Sequence, residues 1–284
     1  MFPRLLTTTV KVAAILLAAI LVVGLLLIFR PRSPSPEPVP QAGQCWAGEA
    51  PVRVDCEESH RLETVAVGEI GATLAGGGTP PKRSELSGEF AECGRTAVRY
   101  LGADWRTLHV TLLLTAPSHE QWQKGSRWYR CDALALGDEL DPVTDRRGSM
   151  RGNEDGTAPA PDLQLGCAGH VVVLNAFIGT RRRPCTDPHD MEFVGIAETA
   201  SPDFPPEFPA TADALEVAFG AECRARARTY TSMPADLLDR RHVTVASRPT
   251  GEAATWTGGD RSARCWVYLD HPVTTSLYGR GDLP

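Results

Sequence analysis

Two stretches carry residue types that could do chemistry together. Cys56, His60 and Glu63 stand as C-x3-H-x2-E, and Cys185, His189 and Glu192 repeat that spacing. Thiolate, imidazole and carboxylate are all zinc ligands, and Cys45 or Cys167 would complete a set. The same His and Glu pairs could instead serve a metal-dependent or cell-wall hydrolase as acid and base. The spacing is not that of a zinc finger, however, and an oxidised cysteine cannot ligate as thiolate. The expectation is structural: His60 and His189 cap a turn leading into a strand, with Glu63 and Glu192 hydrogen-bonded nearby. No metal, no cofactor and no catalytic residue is assigned. G-x-S-x-G, H-E-x-x-H, P-loop and C-x-x-C patterns are all missing from the chain. The eight cysteines are an even number, which leaves none over for nucleophilic catalysis. The chain therefore reads as non-enzymatic. Arg280-Gly-Asp282 is taken as a chance tripeptide, and Arg181–Arg183 as a solvated loop.

The elements that must position these residues occur twice. Trp122, Gly125, Arg127, Arg130 and Cys131 recur as Trp256, Gly259, Arg261, Arg264 and Cys265 at the same offsets. Cys93-x3-Ala97-x2-Tyr100 matches Cys223-x3-Ala227-x2-Tyr230, and His109-Val-Thr matches His242-Val-Thr. The tails agree more loosely, as Leu140-Asp-Pro-Val-Thr and Leu269-Asp-His-Pro-Val-Thr. Such self-similarity marks a duplicated module. In the first copy, strands are expected at Val52–Cys56, Leu62–Val67, His109–Thr115 and Arg127–Leu136. A helix runs through Phe90, Cys93, Ala97 and Tyr100 and stops at Gly102, and Ser118-x-x-Gln121 reads as a capping box. In the second, strands are expected at Val171–Phe177, Met191–Ala197, His242–Ala246 and Cys265–Leu269. A helix capped by Asp213-x-x-Glu216 buries Leu215, Phe219, Cys223, Ala227 and Tyr230. Arg127 and Arg261, matched arginines beside a turn, could hold structure or a ligand, and structure is expected.

The N-terminus bears on the compartment. Val12–Phe29 is a run of 18 uncharged residues flanked by Arg4, Lys11, Arg30 and Arg32. That is long enough for a spanning helix, and no small-residue cleavage site follows it. Five prolines between Pro31 and Pro40 suggest an extended spacer. Residues 1–32 carry four basic side chains and no acidic ones, so the remainder holds 25 basic against 35 acidic, a formal charge of −10. A body so acidic would be repelled by nucleic acid.

The combined pattern resembles the septum formation domain of actinobacterial membrane proteins. It consists of an N-terminal apolar segment, C-W, V-x-C-x3-H-x2-E, a C-x6-Y helix and W-x2-G-x-R-x2-R-C. Pro188 before His189 fits the family, Ser59 before His60 departs from it, and Cys167 lacks a following tryptophan. The resemblance implies a role at the division septum or envelope and no established enzymatic activity. The expected fold class is α+β: an N-terminal transmembrane helix, then two tandem, homologous small modules. Each has a short antiparallel sheet, one main helix and two disulfides. The organisation is a cytoplasmic tail at 1–11, the helix at 12–29, a Pro-rich linker at 30–43, module one at 44–152, a linker at 153–162 and module two at 163–284. All eight cysteines, Cys45, Cys56, Cys93, Cys131, Cys167, Cys185, Cys223 and Cys265, are expected in disulfides. Four per copy allow three connectivities, and sequence selects none. The preferred pairing is Cys56–Cys93 with Cys45–Cys131, and Cys185–Cys223 with Cys167–Cys265. Two disulfides closing loops of about 40 residues would each add roughly 4 kcal/mol. The expected partners are the membrane and envelope or divisome proteins, and the expected location is the cell membrane with the body outside.

Overall fold

The structure is a computed structural model and describes residues 39–48, 52–137, 143–153, 156–173, 176–198, 207–238, 242–251 and 253–282. The apolar run at 12–29 lies outside the described residues. Among those described, no helix is long and apolar enough to cross a membrane. The fold class is corrected accordingly: the described residues form an α+β body with two antiparallel sheets and four disulfides, and none of their helices is the expected transmembrane helix.

Residues 39–284 form one compact unit. The first sheet contains β1 (Cys45–Ala47), β2 (Val52–Val54), β3 (Leu62–Glu69), β4 (Val110–Thr115) and β5 (Trp128–Ala135) in the order β2-β1-β3-β5-β4. Between β3 and β4 runs α1 (Ser87–Leu101), and α2 (His119–Gln123) precedes β5. The second sheet contains β6 (Cys167–Val173), β7 (Ala176–Arg182), β8 (His189–Glu198), β9 (Val243–Pro249) and β10 (Ser262–Val273) in the order β7-β6-β8-β10-β9. Its helices α3 (Ala212–Thr231) and α4 (Ala253–Thr257) occupy the places of α1 and α2. Strand for strand, the second order repeats the first.

Alternation explains the strands. Along β4, Val110, Leu112 and Leu114 are buried while Thr111, Leu113 and Thr115 are half-buried, the two-residue period of a sheet with one face on the core. The helix α1 supplies the opposing apolar face with Phe90, Cys93, Ala97 and Leu101. It ends at Gly102, whose φ of 75° is left-handed backbone that glycine adopts without strain. The expected capping box is present: Ser118 Oγ accepts from the Gln121 N–H, and Gln121 Oε1 accepts from the Ser118 N–H at 2.8 Å. Both sheets bulge at the same place. One residue, Val65 on β3 and Val194 on β8, is inserted opposite the last strand, and both are buried.

Several boundaries differ from expectation. The span Val171–Phe177 is not one strand but crosses from β6 to β7, an antiparallel pair. Arg181 and Arg182 are not in a loop but end the edge strand β7. The helix α3 is capped by Thr211, whose hydroxyl accepts from the Ala214 N–H, because that hydroxyl sits one residue before the first helical position where a cap acts.

The two sheets are joined along a polar seam. His109 N–H donates to Leu163 O at 2.6 Å and Leu165 N–H to Thr107 O at 3.2 Å. Arg264 lies 2% exposed and donates to the carbonyls of Arg106, Leu108 and Val110 at 2.8–2.9 Å. Arg106 in turn pairs with Asp104 and Glu198. His109 is buried beside this seam. Desolvation, then the charges of Arg182, Arg264 and Arg248, lower its pKa to about 3, so it sits there neutral.

Candidate functional site

The repeated C-x3-H-x2-E elements lie at the head of the central strands β3 and β8. Cys45 on β1 stands directly opposite Glu63, and Cys167 on β6 directly opposite Glu192. That register gathers Cys45, His60 and Glu63 into one cluster and Cys167, His189 and Glu192 into the other, with candidate ligand atoms within 4.8 Å of one another. Sequence spacing thus grouped each histidine with its glutamate, while the cysteine of each cluster is the one that strand register supplies, Cys45 or Cys167, rather than Cys56 or Cys185 of the motif.

Their chemistry is already committed. All eight cysteines are disulfide-bonded, as Cys45–Cys56, Cys93–Cys131, Cys167–Cys185 and Cys223–Cys265. The bridges stay within each copy, but the preferred pairing is overturned. One bridge ties β1 or β6 to the segment that leads into the histidine, and the other ties the main helix to the last strand. The physical reason is the sheet order: β1 and β6 neighbour β3 and β8 rather than the last strand, which lies beneath the helix. With the sulfurs oxidised, neither cluster holds the thiolate that a zinc set of Cys, His and Glu requires.

The carboxylates are enclosed as well. Glu63 is fully buried and accepts from Tyr100 Oη at 2.5 Å, Ser149 Oγ at 2.5 Å and Met150 N–H at 2.6 Å. Glu192, 1% exposed, accepts from Tyr230 Oη and Ser276 Oγ at 3.0 Å each and from Leu277 N–H at 2.7 Å. Tyrosine comes from the main helix, and serine plus the next amide come from the chain beyond the last strand. Each glutamate therefore clamps helix, central strand and returning tail together. Burial first, then the Glu63 charge, pushes the Tyr100 phenol up to about 12. Tyr230 is also pushed up to about 12, by burial against a smaller opposing effect of Ser276 and with the Glu192 charge adding to the rise. Both phenols remain donors at neutral pH.

The histidines complete the clamp. His60 Nδ1 faces Glu58 O at 2.9 Å and His189 Nδ1 faces Asp187 O at 2.8 Å. A carbonyl only accepts, so Nδ1 carries the proton in each ring. His189 Nε2 lies 2.9 Å from Glu192 Oε1. In the first copy, His60 Nε2 is 3.9 Å from Glu63 Oε2 and has no hydrogen-bond partner among the described residues.

Sequence reasoning missed Ser149, Met150, Ser276 and Leu277. The loose agreement of the two tails pointed there, but the copies place a different number of residues between the shared Val-Thr and the serine. The repeat around Trp122 and Trp256 is structural in most of its members. Trp122 and Trp256 are buried, Gly125 and Gly259 take left-handed φ of 96° and 112°, and Cys131 and Cys265 anchor the helix. Arg127 donates to the carbonyls of Ala75, Trp122 and Ser126 and lies 3.9 Å from the Trp122 ring centroid, so it latches the turn. Arg261 is half-buried just before β10.

No curated protein and no solved structure matches the chain. A family model described as septum formation matches residues 42–265, more than half of the 284 residues and spanning parts of both sheets. The chain belongs to the septum formation family.

Proposed function

We propose that the chain is a non-enzymatic binding or scaffolding protein of septum formation that works outside the cytoplasm, in the actinobacterial envelope, and carries the family module twice. The observation that carries the non-enzymatic part is the saturation of both Cys-His-Glu elements. His60, Glu63, His189 and Glu192 are at most 1% exposed, and each carboxylate already accepts at least three hydrogen bonds within the fold. A hydrolytic acid–base pair has to reach its substrate, and these have no such access. Four disulfides among eight cysteines support an oxidising compartment. The repeated strand order supports the tandem reading, and two linked modules raise the effective concentration for a divisome or envelope partner.

The test joins imaging with crosslinking in dividing cells. A fluorescent fusion should concentrate at the septum, and crosslinked protein should recover division or envelope partners. An even distribution round the envelope would defeat the septal part. Hydrolysis of cell-wall material that disappears on Glu63→Gln and Glu192→Gln, with folding intact, would defeat the non-enzymatic part.

A further inference from the structure

The exposed end of the second sheet carries a different histidine cluster. His242 precedes β9, while Asp270 and His271 lie near the end of β10. The Asp270 N–H donates to His242 O at 3.2 Å, which sets the two side chains beside each other. His242 Nδ1 lies 2.9 Å from Asp270 Oδ2, and the His271 ring is near-parallel to that of His242, with centroids 6.4 Å apart and planes inclined by 28°. Both rings border a cleft of about 340 Å³, together with Thr274 and Thr275.

We propose that His242 and His271 form a surface site for a borderline divalent transition cation such as zinc, with Asp270 orienting His242. The carboxylate accepts from Nδ1–H, which leaves the lone pair of His242 on Nε2. A ligating histidine whose other ring nitrogen donates to a carboxylate is the usual supporting arrangement in metal sites. His271 supplies a second imidazole, and water completes the coordination. The His242 and Asp270 side chains are 70% and 50% exposed, so rotation about their side-chain bonds can bring both rings to the about 2.0–2.1 Å of a zinc–nitrogen bond. Imidazole selects zinc, copper or nickel over magnesium. The buried clamps have no such freedom, because His60 and His189 are enclosed and bonded to carbonyls at Nδ1. A cation here would brace residues 272–275, the stretch between His271 and the Ser276–Leu277 pair that Glu192 holds.

Calorimetric titration of zinc chloride into the full chain tests this, with magnesium chloride as the control. One saturable equivalent of zinc and no magnesium binding is the expected result. His242→Ala or His271→Ala should weaken zinc binding at least tenfold, and Asp270→Asn by about 10–100-fold. These side chains are exposed, so the variants should melt like the parent. Zinc that does not bind saturably, or that binds the His242→Ala/His271→Ala double variant as tightly as the parent, would overturn the proposal.

Discussion

The two halves share a skeleton and differ on the sheet face turned away from the main helix. At one register position the first sheet pairs Thr64 with Asp132, while the second pairs Phe193 with Trp266. In the first, Asp132 is fully buried, bonded to Arg130 at 2.8 Å and Thr64 at 2.9 Å, and Arg130 lies over the Trp46 ring. In the second, Phe193 and Trp266 meet edge to face at 5.6 Å beside Ala168 and Met191. The repeated arginine changes roles with the face: Arg130 serves its own sheet, whereas Arg264 crosses the seam to the other half. The glutamate's bonds to tyrosine, serine and the next amide, the helix disulfide, the bulge and the buried tryptophan are the same in both, whereas the histidine comes within hydrogen-bond distance of the carboxylate only in the second. Features shared by the halves are those that close the fold; features that differ concern what each half meets.

If that division holds, the clamp should dominate stability in both halves. Glu192→Ala removes the acceptor that Tyr230, Ser276 and the Leu277 amide share, and should cost about 3–5 kcal/mol. Glu63→Ala should cost a similar amount, read as the shift in urea midpoint. A change below about 1 kcal/mol in one half alone would break the equivalence.

The disulfides sharpen the comparison within each half. Loop entropy assigns about 4 kcal/mol to Cys93–Cys131 and Cys223–Cys265, which span 38 and 42 residues. It assigns about 3 kcal/mol to Cys45–Cys56 and Cys167–Cys185, which span 11 and 18. Paired Cys→Ala variants followed by thermal unfolding should rank in that order.

Tyr100→Phe and Tyr230→Phe each remove one hydrogen bond to a buried carboxylate and should cost about 1.5–3 kcal/mol. Because both folded phenols titrate near 12 against a usual 10, the folded state keeps its protons longer than the unfolded chain. Stability should therefore fall as pH rises from 10 to 12, and the two phenylalanine variants should flatten that fall.

His109 and His242 occupy the same place in the repeat but differ in environment. The folded pKa of His109, about 3, is depressed below its usual 6.5. Its contribution is thus present above pH 6.5 and lost as pH falls towards 3, by up to about 1.4 kcal/mol per pH unit. His109→Gln should remove that acid sensitivity in chemical denaturation series, while His242→Gln should leave it in place.

Much of this was legible in the residues. The helix stop at Gly102, the Ser118 capping box and the grouping of His60 with Glu63 all follow from local spacing. The disulfide pairing was not legible, because it depends on which strands are neighbours, and strand order is a property of the assembled sheet. The serines of the clamp were hidden for a related reason: they return from beyond the last strand after gaps of unequal length. Thr211 outcompeted Asp213 as the α3 cap because a cap is defined by backbone position rather than by residue type alone.

The most direct test of the clamp is amide hydrogen exchange at Met150 and Leu277, whose N–H groups bond Glu63 at 2.6 Å and Glu192 at 2.7 Å. Both amides should be protected to nearly the level of the core strands. Glu63→Gln should lower protection at Met150 alone, and Glu192→Gln at Leu277 alone. Rapid exchange of both amides in the unmodified protein would contradict the account.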